Sequence, residues 1–316
     1  MIAYLRTALI ALLLLAFAMG GTANADKILP APEQVSERVF AWIGPLEGPN
    51  KQNQGYRMNL VFVVGGDGVA VLDTGYTTAM AEEMVAHIRK ITDLPIRFAV
   101  STNSQPHRHF GNDVFRAAGA KIITTPEEAA RMEDMGGMLA QVVQQTLGLD
   151  AEEVDAPKAP DMLIDAPHTL DLGNGVTVRL IPAGGNHTPN SIVAEIPTDK
   201  VVYAGDLLYG GRLLSILDVS DTGHWIKAYD GLRSFVGYAF VPGHGRPAPL
   251  LSFEFPTYSY LTKIWDHMTN AVSDGVDLAR AIKTFDQSEY ANLENFEDLA
   301  GRNASRAYLQ AELELF

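Results

Sequence analysis

Short runs of apolar residues in the first half of the chain predict strands. Residues 59–64 and 69–73 are rich in β-branched side chains and flank Gly65-Gly66-Asp67-Gly68, a sequence typical of a hairpin turn. Apolar residues then recur at helical spacing over 77–91. The same criteria predict further strands over 38–43, 96–102 and 121–125, and helices over 113–118 and 126–147, the last with a candidate break at Gly136-Gly137.

The second half has a similar order of paired strands, helix and strand. Strands are predicted over 168–172, 176–181, 191–196, 200–205 and 238–241, and helices over 225–235, 256–274, 278–284 and from 303 to the end. The proline-rich stretch 155–167 separates the halves and is the best linker candidate. Two such halves predict an α/β fold of the αββα sandwich type, with two mixed β-sheets packed together and helices outside.

The first 25 residues have the pattern of a secretory signal peptide. Arg6 precedes an apolar run over 8–19, and Ala23-Asn24-Ala25 supplies a small-x-small cleavage pattern. The alternative is an uncleaved anchor helix, but this run is shorter than the roughly 20 residues that span a bilayer. We therefore expect cleavage before Asp26, a periplasmic or secreted product over residues 26–316, and no membrane span in the mature chain.

The amino-acid composition limits the partners, nucleophiles and metal ligands that this chain can have. The 316 residues are 47% hydrophobic and carry 24 Lys and Arg against 38 Asp and Glu, a net charge of -14. This content suffices for a sizeable core, whereas the acidic balance argues against a nucleic-acid partner. Cysteine is absent from the sequence, which excludes thiol nucleophiles and disulfides. Any metal must therefore be held by histidine, carboxylate or amide groups.

Polar loops at predicted strand ends collect the candidate residues. Three loops, over 103–109, 185–189 and 241–245, contain four of the eight histidines. Asp206 follows a fourth strand and Asp73 ends the strand over 69–73. Single residues of this kind are usually cap or turn residues. The order of these residues along the chain is a more specific indication of function than any single one of them.

In this order the motifs resemble the metallo-β-lactamase superfamily. They run from Leu72-Asp73-Thr74-Gly75 through His187-Thr188-Pro189 and Gly205-Asp206 to Pro242-Gly243-His244. The resemblance implies that residues 26–316 form one metallo-β-lactamase-like domain and that His187, Asp206 and His244 match the last three metal-ligand positions. It also implies zinc-dependent hydrolysis, because zinc lowers the pKa of a bound water to about 7. The segment 302–312 resembles the exported branch associated with quinoprotein and sulfur-oxidation systems.

The first metal loop departs from the family pattern His-x-His-x-Asp-His. Aligning Phe110-Gly111-Asn112 puts Asn103 and Gln105 at the first two histidine positions, His107 at the aspartate position and Arg108 at the last histidine position. Amides are poor zinc ligands compared with imidazole. The resemblance thus implies a degenerate loop and at most one zinc ion.

Two other residues have alternative assignments. A shifted alignment would make His107-Arg108-His109 the ligand pair, but it moves the loop relative to its strand; otherwise His109 starts a helix. Asp73 fits better as a residue that orients the loops through hydrogen bonds than as a ligand.

Two functions stay open. In the first, His107, Asp206 and His244 hold one zinc ion, His187 positions water or substrate, and Arg108 holds an anionic group of a small-molecule substrate. The enzyme would hydrolyse an ester, thioester or amide bond. In the second, the fold persists as a non-catalytic accessory or binding protein, for which a protein partner is one option, and the retained residues form hydrogen bonds only.

Overall fold

The computed structural model describes residues 27–315, in which two mixed β-sheets lie face to face with helices outside. The predicted αββα sandwich is confirmed. The predicted signal peptide, residues 1–25, lies outside the described residues. Between residues 27 and 315, every helix is too short or too polar to cross a membrane.

The first sheet has seven strands in sequence order, antiparallel as far as β4 and parallel beyond it. They are β1 (Glu33–Gln34), β2 (Val39–Trp42), β3 (Leu60–Val64), β4 (Val69–Leu72), β5 (Ile96–Val100), β6 (Lys121–Thr124) and β7 (Met162–Leu163). Strand β7 lies inside the predicted linker, where Met162 pairs with Ile123 of β6. Two residues among prolines carry too little pattern to predict a strand.

The second sheet comprises β8 (His168–Asp171), β9 (Thr177–Pro182), β10 (Ile192–Ile196), β11 (Val201–Tyr209) and β12 (Ala239–His244). Strand β11 continues past Gly205, where the sequence predicts its end. The pairing of β11 with β12 shifts register on both sides of Gly205, whose φ is 52°. Glycine tolerates this backbone, so the strand bulges without ending and Asp206 lies within it.

Eight helices cover the described part of the chain outside the sheets, with short 3-10 turns at Leu250–Phe253 and Ser288–Tyr290 and a π-helical turn at Glu254–Ser259. They are α1 (Thr78–Ile91), α2 (Pro106–His109), α3 (Asn112–Ala117), α4 (Pro126–Leu147), α5 (Thr222–Leu232), α6 (Tyr260–Ser273), α7 (Leu278–Thr284) and α8 (Phe296–Leu315). Helix α4 is continuous through Gly136-Gly137. Its ends are fixed by the Thr125 side chain, which accepts from Glu128 N, and by left-handed Gly148.

Side chains alternate along the strands between two apolar layers, and these layers form the core. In β3, Val61 and Val63 lie in the apolar layer between the sheets, whereas Leu60 and Phe62 lie in the layer under the helices. At one end of the sandwich, backbone hydrogen bonds link loops of the two sheets. Asn59 N, just before β3, donates to Gly243 O of β12 at 2.8 Å, and Ile192 N of β10 donates to Thr102 O, just after β5, at 2.8 Å.

Candidate active site

The candidate residues converge at this end of the sandwich. Asp206 lies in β11, His244 ends β12, His107 and Arg108 belong to α2, and Asp73 directly follows β4. All five are at most 5% exposed. The single turn of α2 begins at Pro106 because proline suits the first helical position.

Arg108 forms a buried, two-point ion pair with Asp206. Nη2 donates to Asp206 Oδ1 at 2.5 Å and Nε donates to Oδ2 at 3.0 Å. Burial alone would lower the pKa of Arg108 and raise that of Asp206, but each charge favours the other. The pKa of Arg108 is therefore well above, and that of Asp206 well below, its ordinary value.

The other N–H groups of Arg108 also donate to protein acceptors. These acceptors are Asn59 O at 2.8 Å, Tyr203 Oη at 2.8 Å, Asp73 Oδ2 at 3.1 Å and Gly243 O at 3.2 Å. Every guanidinium nitrogen thus has an internal partner. This geometry does not favour the expected contact between Arg108 and an anionic substrate, because the guanidinium already neutralises buried carboxylates. Sequence position alone could not show where this side chain points.

Asp73 joins two loops to this arginine. Its Oδ1 accepts from Thr102 N at 2.7 Å, and its Oδ2 accepts from Thr102 Oγ1 at 2.9 Å and Tyr203 Oη at 2.5 Å. Burial raises the pKa of Asp73 to about 6, although Arg108 acts in the opposite direction. These hydrogen bonds orient the loops, which is the arrangement that the sequence favours for Asp73.

Two imidazoles face the Asp206 carboxylate. His107 Nε2 lies 3.6 Å from Asp206 Oδ2, and His244 Nε2 lies 3.4 Å from Oδ1. One ligand atom from each residue lies within 4.8 Å of those of the other two. Within residues 27–315 this is the single group of three histidine or acidic side chains with such geometry, and His109 and His187 do not belong to it.

The donor chemistry of this group fits a cation. His244 Nδ1 lies 2.8 Å from Arg57 O, and because a carbonyl can only accept, Nδ1 carries the proton. Its Nε2 lone pair then faces a carboxylate. His107 Nε2 is buried and has no hydrogen-bond partner among the described residues. Burial lowers the pKa of His107 to about 3 and that of His244 well below its ordinary value, so both rings are neutral, as metal ligation requires.

The two amides of the loop over 103–109 form hydrogen bonds with protein groups. Asn103 Nδ2 donates to Asp206 Oδ2 at 2.9 Å, and Gln105 Oε1 lies 2.9 Å from His187 Nε2. His187 is therefore engaged by Gln105 and lies apart from the three-residue group. Its expected part in positioning water or substrate stays a prediction.

Four residues of the site carry no motif that sequence reasoning could use. Tyr203 and Asn59 accept from Arg108, and Arg57 and Arg212 act on the electrostatics of His244. For Arg212 the sequence offers only an indirect indication of a site, because this residue follows Gly210-Gly211 just after β11.

Gly243 has no room for a side chain. A Cβ there would lie 2.3 Å from Asp206 Oδ1, 2.6 Å from Arg108 Nη2 and 2.8 Å from Gly205 C. We expect Gly243→Ala to lower the free energy of unfolding by about 1–3 kcal/mol, because the ion pair must shift. Urea unfolding measures this change.

Gly137→Ala is the matched control for this prediction. A Cβ at Gly137 meets nothing within 4 Å, and the residue lies inside α4. Alanine there should raise stability by about 0.5–1 kcal/mol through its better helix propensity. If Gly243→Ala were as stable as the wild type, the close approach of β12 to the ion pair would be contradicted.

Comparison with known proteins identifies related chains. A family model described as the metallo-beta-lactamase superfamily matches residues 55–244, more than half of the chain. A linear primary-alkylsulfatase from Pseudomonas sp. is 22% identical over 214 residues, which are 57% of this chain but only 40% of that relative. A metallo-beta-lactamase type 2 from Bacteroides fragilis is 26% identical over 67% of this chain and 78% of its own length.

Solved structures share the fold. A metallo-beta-lactamase from Pontibacter korlensis has a TM-score of 0.59 at 18% identity and covers 73% of this chain and 98% of its own. One from Hirschia baltica has a TM-score of 0.54 at 19% identity, with coverages of 73% and 96%. At such identities the likeness shows the fold alone.

Proposed function

The chain belongs to the metallo-β-lactamase superfamily, and from that premise we propose that it is a hydrolase that works with a single zinc ion held by His107, Asp206 and His244. The observation that carries the proposal is the convergence of two neutral imidazoles on one ionised carboxylate. Three protein ligands are the usual number at a catalytic zinc site, which keeps one position open.

When bound, zinc would supply Lewis acidity and a water of lowered pKa for attack on an ester, thioester or amide. Groups of the protein itself orient the ligands. The Arg57 carbonyl fixes the His244 tautomer so that Nε2 presents its lone pair. Asn103 and Arg108 hold the Asp206 carboxylate in a fixed orientation.

Arg108 also sets the charge of the site. Its guanidinium lies against Asp206, so the carboxylate offers a cation less negative charge than an unpaired one would. We expect zinc affinity to be weaker than three unperturbed ligands would give. The ion pair is the specific observation that favours the second candidate, a non-catalytic binding protein in which Arg108 replaces the metal charge.

Zinc titration of the purified protein tests the first candidate. We expect one zinc per chain in the wild type, measured by calorimetry and elemental analysis, and loss of this binding in His107→Ala and His244→Ala. His168→Ala is the control because His168 starts β8 and does not belong to the three-residue group. An absence of zinc above background in the wild type would reject the proposed hydrolase.

Turnover then separates the two candidates. The substrate panel should include an aryl ester, a thioester, a β-lactam and an alkyl sulfate, the last two because they match the names of the relatives. Hydrolysis that depends on both zinc and His244 supports the hydrolase. Bound zinc without turnover of any substrate on the panel would favour the binding protein.

A further inference from the structure

Two arginines beside the site have no acidic partner. Among residues 27–315, neither Arg57 nor Arg212 has a carboxylate oxygen within 4.0 Å. Arg212 is 3% exposed, and its Nε and Nη1 are buried without a hydrogen-bond partner, as is Nε of Arg57. Glu294 pairs with Arg212 through a backbone bridge, and its charge raises the pKa of Arg212, but its carboxylate forms no ion pair with the guanidinium within 4.0 Å. Unpartnered buried N–H groups are rare, because each loses its hydrogen bonds to water.

Backbone contacts place both arginines at His244. Arg57 O lies 2.8 Å from His244 Nδ1, on one side of the ring. Gly210 N donates to His244 O at 2.8 Å, two residues before Arg212. The Tyr209 ring stacks on His244, with centroids 5.1 Å apart. The two arginines therefore belong to two different loops beside His244, and the charges of both act on its ring.

The two cations influence each other and the site. Burial and the charge of Arg57 lower the pKa of Arg212 to about 10, and burial lowers the pKa of Arg57. Both guanidinium groups are nevertheless charged at pH 7, because arginine keeps its proton in proteins. Together with Arg108 they outnumber the two buried carboxylates, Asp73 and Asp206, even when both carboxylates are ionised. These five groups together carry one excess positive charge, in a chain whose net charge is -14, before the exposed Glu294, which also acts on Arg212, is counted.

Other arginines of the chain have the acidic partners that Arg57 and Arg212 lack. Arg108 donates from each of its nitrogens, and Arg233 and Arg246 on the surface each pair with a glutamate. A buried arginine without such a partner destabilises the folded chain, and one that persists beside a candidate site indicates a ligand that is bound in function.

We propose that Arg57 and Arg212 bind the oxyanion head group of the substrate, a carboxylate, sulfate or phosphate, next to the His107, Asp206 and His244 group. The planar guanidinium matches such oxyanions by paired hydrogen bonds. This assignment moves anion recognition from Arg108, which is internally paired, to two residues whose donors are free of protein acceptors. It rests on the proposed function, since the anion belongs to the molecule on which that site acts.

Calorimetric titration of the full chain with inorganic sulfate, inorganic phosphate and acetate tests this inference. The wild type, with metal removed by dialysis against a chelator, should bind at least one of the three. Arg57→Gln and Arg212→Gln should each weaken that binding about tenfold or more, because a charge-assisted contact is lost. The corresponding lysine variants should bind more tightly than the glutamine variants.

Arg246→Gln is the control, since Arg246 is exposed and paired with Glu33; it should bind as the wild type does. Arg212→Gln should also unfold at the same or a higher temperature than the wild type without anion, because an unpaired buried charge has been removed. Absence of binding by the wild type, or equal binding by Arg57→Gln, Arg212→Gln and the wild type, would overturn the inference.

A parallel zinc titration separates this inference from the proposed function. Anion binding without zinc binding would reject the proposed hydrolase and retain the anion site formed by Arg57 and Arg212, which we call the arginine site. Zinc binding without anion binding would retain the hydrolase and reject the arginine site.

Discussion

Replacing Arg108 with methionine is expected to lower the free energy of unfolding by about 3–5 kcal/mol at pH 7. Methionine fills part of the same space, but it leaves Asp206 and Asp73 buried without the cation that both now contact. Because removal of one partner strands the other, this loss exceeds the net value of the ion pair. Urea unfolding of metal-free protein, followed by circular dichroism, measures it.

Arg116→Met is the control for Arg108. Arg116 pairs with Asp113 and Asp161, but its side chain is 23% exposed, so its removal should change stability by about 1 kcal/mol or less. Adding Asp206→Asn to Arg108→Met should recover part of the loss, since it removes one stranded charge. Equal losses for the two arginine variants would contradict a special role for the buried pair.

Most strands and helices can be predicted from the sequence because the patterns that indicate them are local. The hairpin around Gly65-Gly66-Asp67-Gly68 and the helix that became α1 depend on periodicity and turn chemistry within a few residues. Strand β7 and the extension of β11 were missed because they depend on pairing. Only the register shift beside Gly205 shows that the strand can bulge and continue.

The candidate site could be predicted only in part, for a related reason. Motif order identifies His107, Asp206 and His244, and the structure brings these three together. The direction of the Arg108 side chain depends on acceptors that are distant in sequence, among them Asn59 and Tyr203. No motif marks those acceptors, so the sequence cannot show that the donors of Arg108 already have partners inside the protein.

The charges at this end of the sandwich favour two different ligands at adjacent points. Lone pairs of His107 and His244 face the carboxylate of Asp206, which favours a cation, although Arg108 weakens that preference. Arg57 and Arg212 favour an anion. A zinc ion at the first point and the oxyanion of a substrate at the second would together satisfy both.

The second large effect is a pH dependence from Asp73, expected to reach about 3 kcal/mol. Burial raises the pKa of Asp73 from its ordinary value of 3.8 to about 6 in the folded protein. The folded state therefore binds this proton more tightly than the unfolded state does. The contribution of Asp73 to stability is most favourable below pH 4, falls as the pH rises from about 4 to 6, and is constant above that range.

Other groups titrate in the same range with the opposite sign, so a single pH profile would hide this effect. Burial lowers the pKa values of His107, His187 and His244, and each therefore makes the fold less stable as the pH falls below about 6.5. The unfolding free energy of the wild type minus that of Asp73→Asn removes their common contribution.

That difference, measured by urea unfolding from pH 4 to 8, should decrease as the pH rises through 4–6. Tyr203→Phe supplies a second check, because it removes a hydroxyl that donates to Asp73 Oδ2 and lowers the pKa of this carboxyl. The midpoint of the change should then lie at higher pH than in the wild type. A difference that is flat with pH, or that increases, would show that Arg108 and the hydroxyl donors outweigh the burial of Asp73, and the buried network would then hold this carboxylate without any penalty at neutral pH.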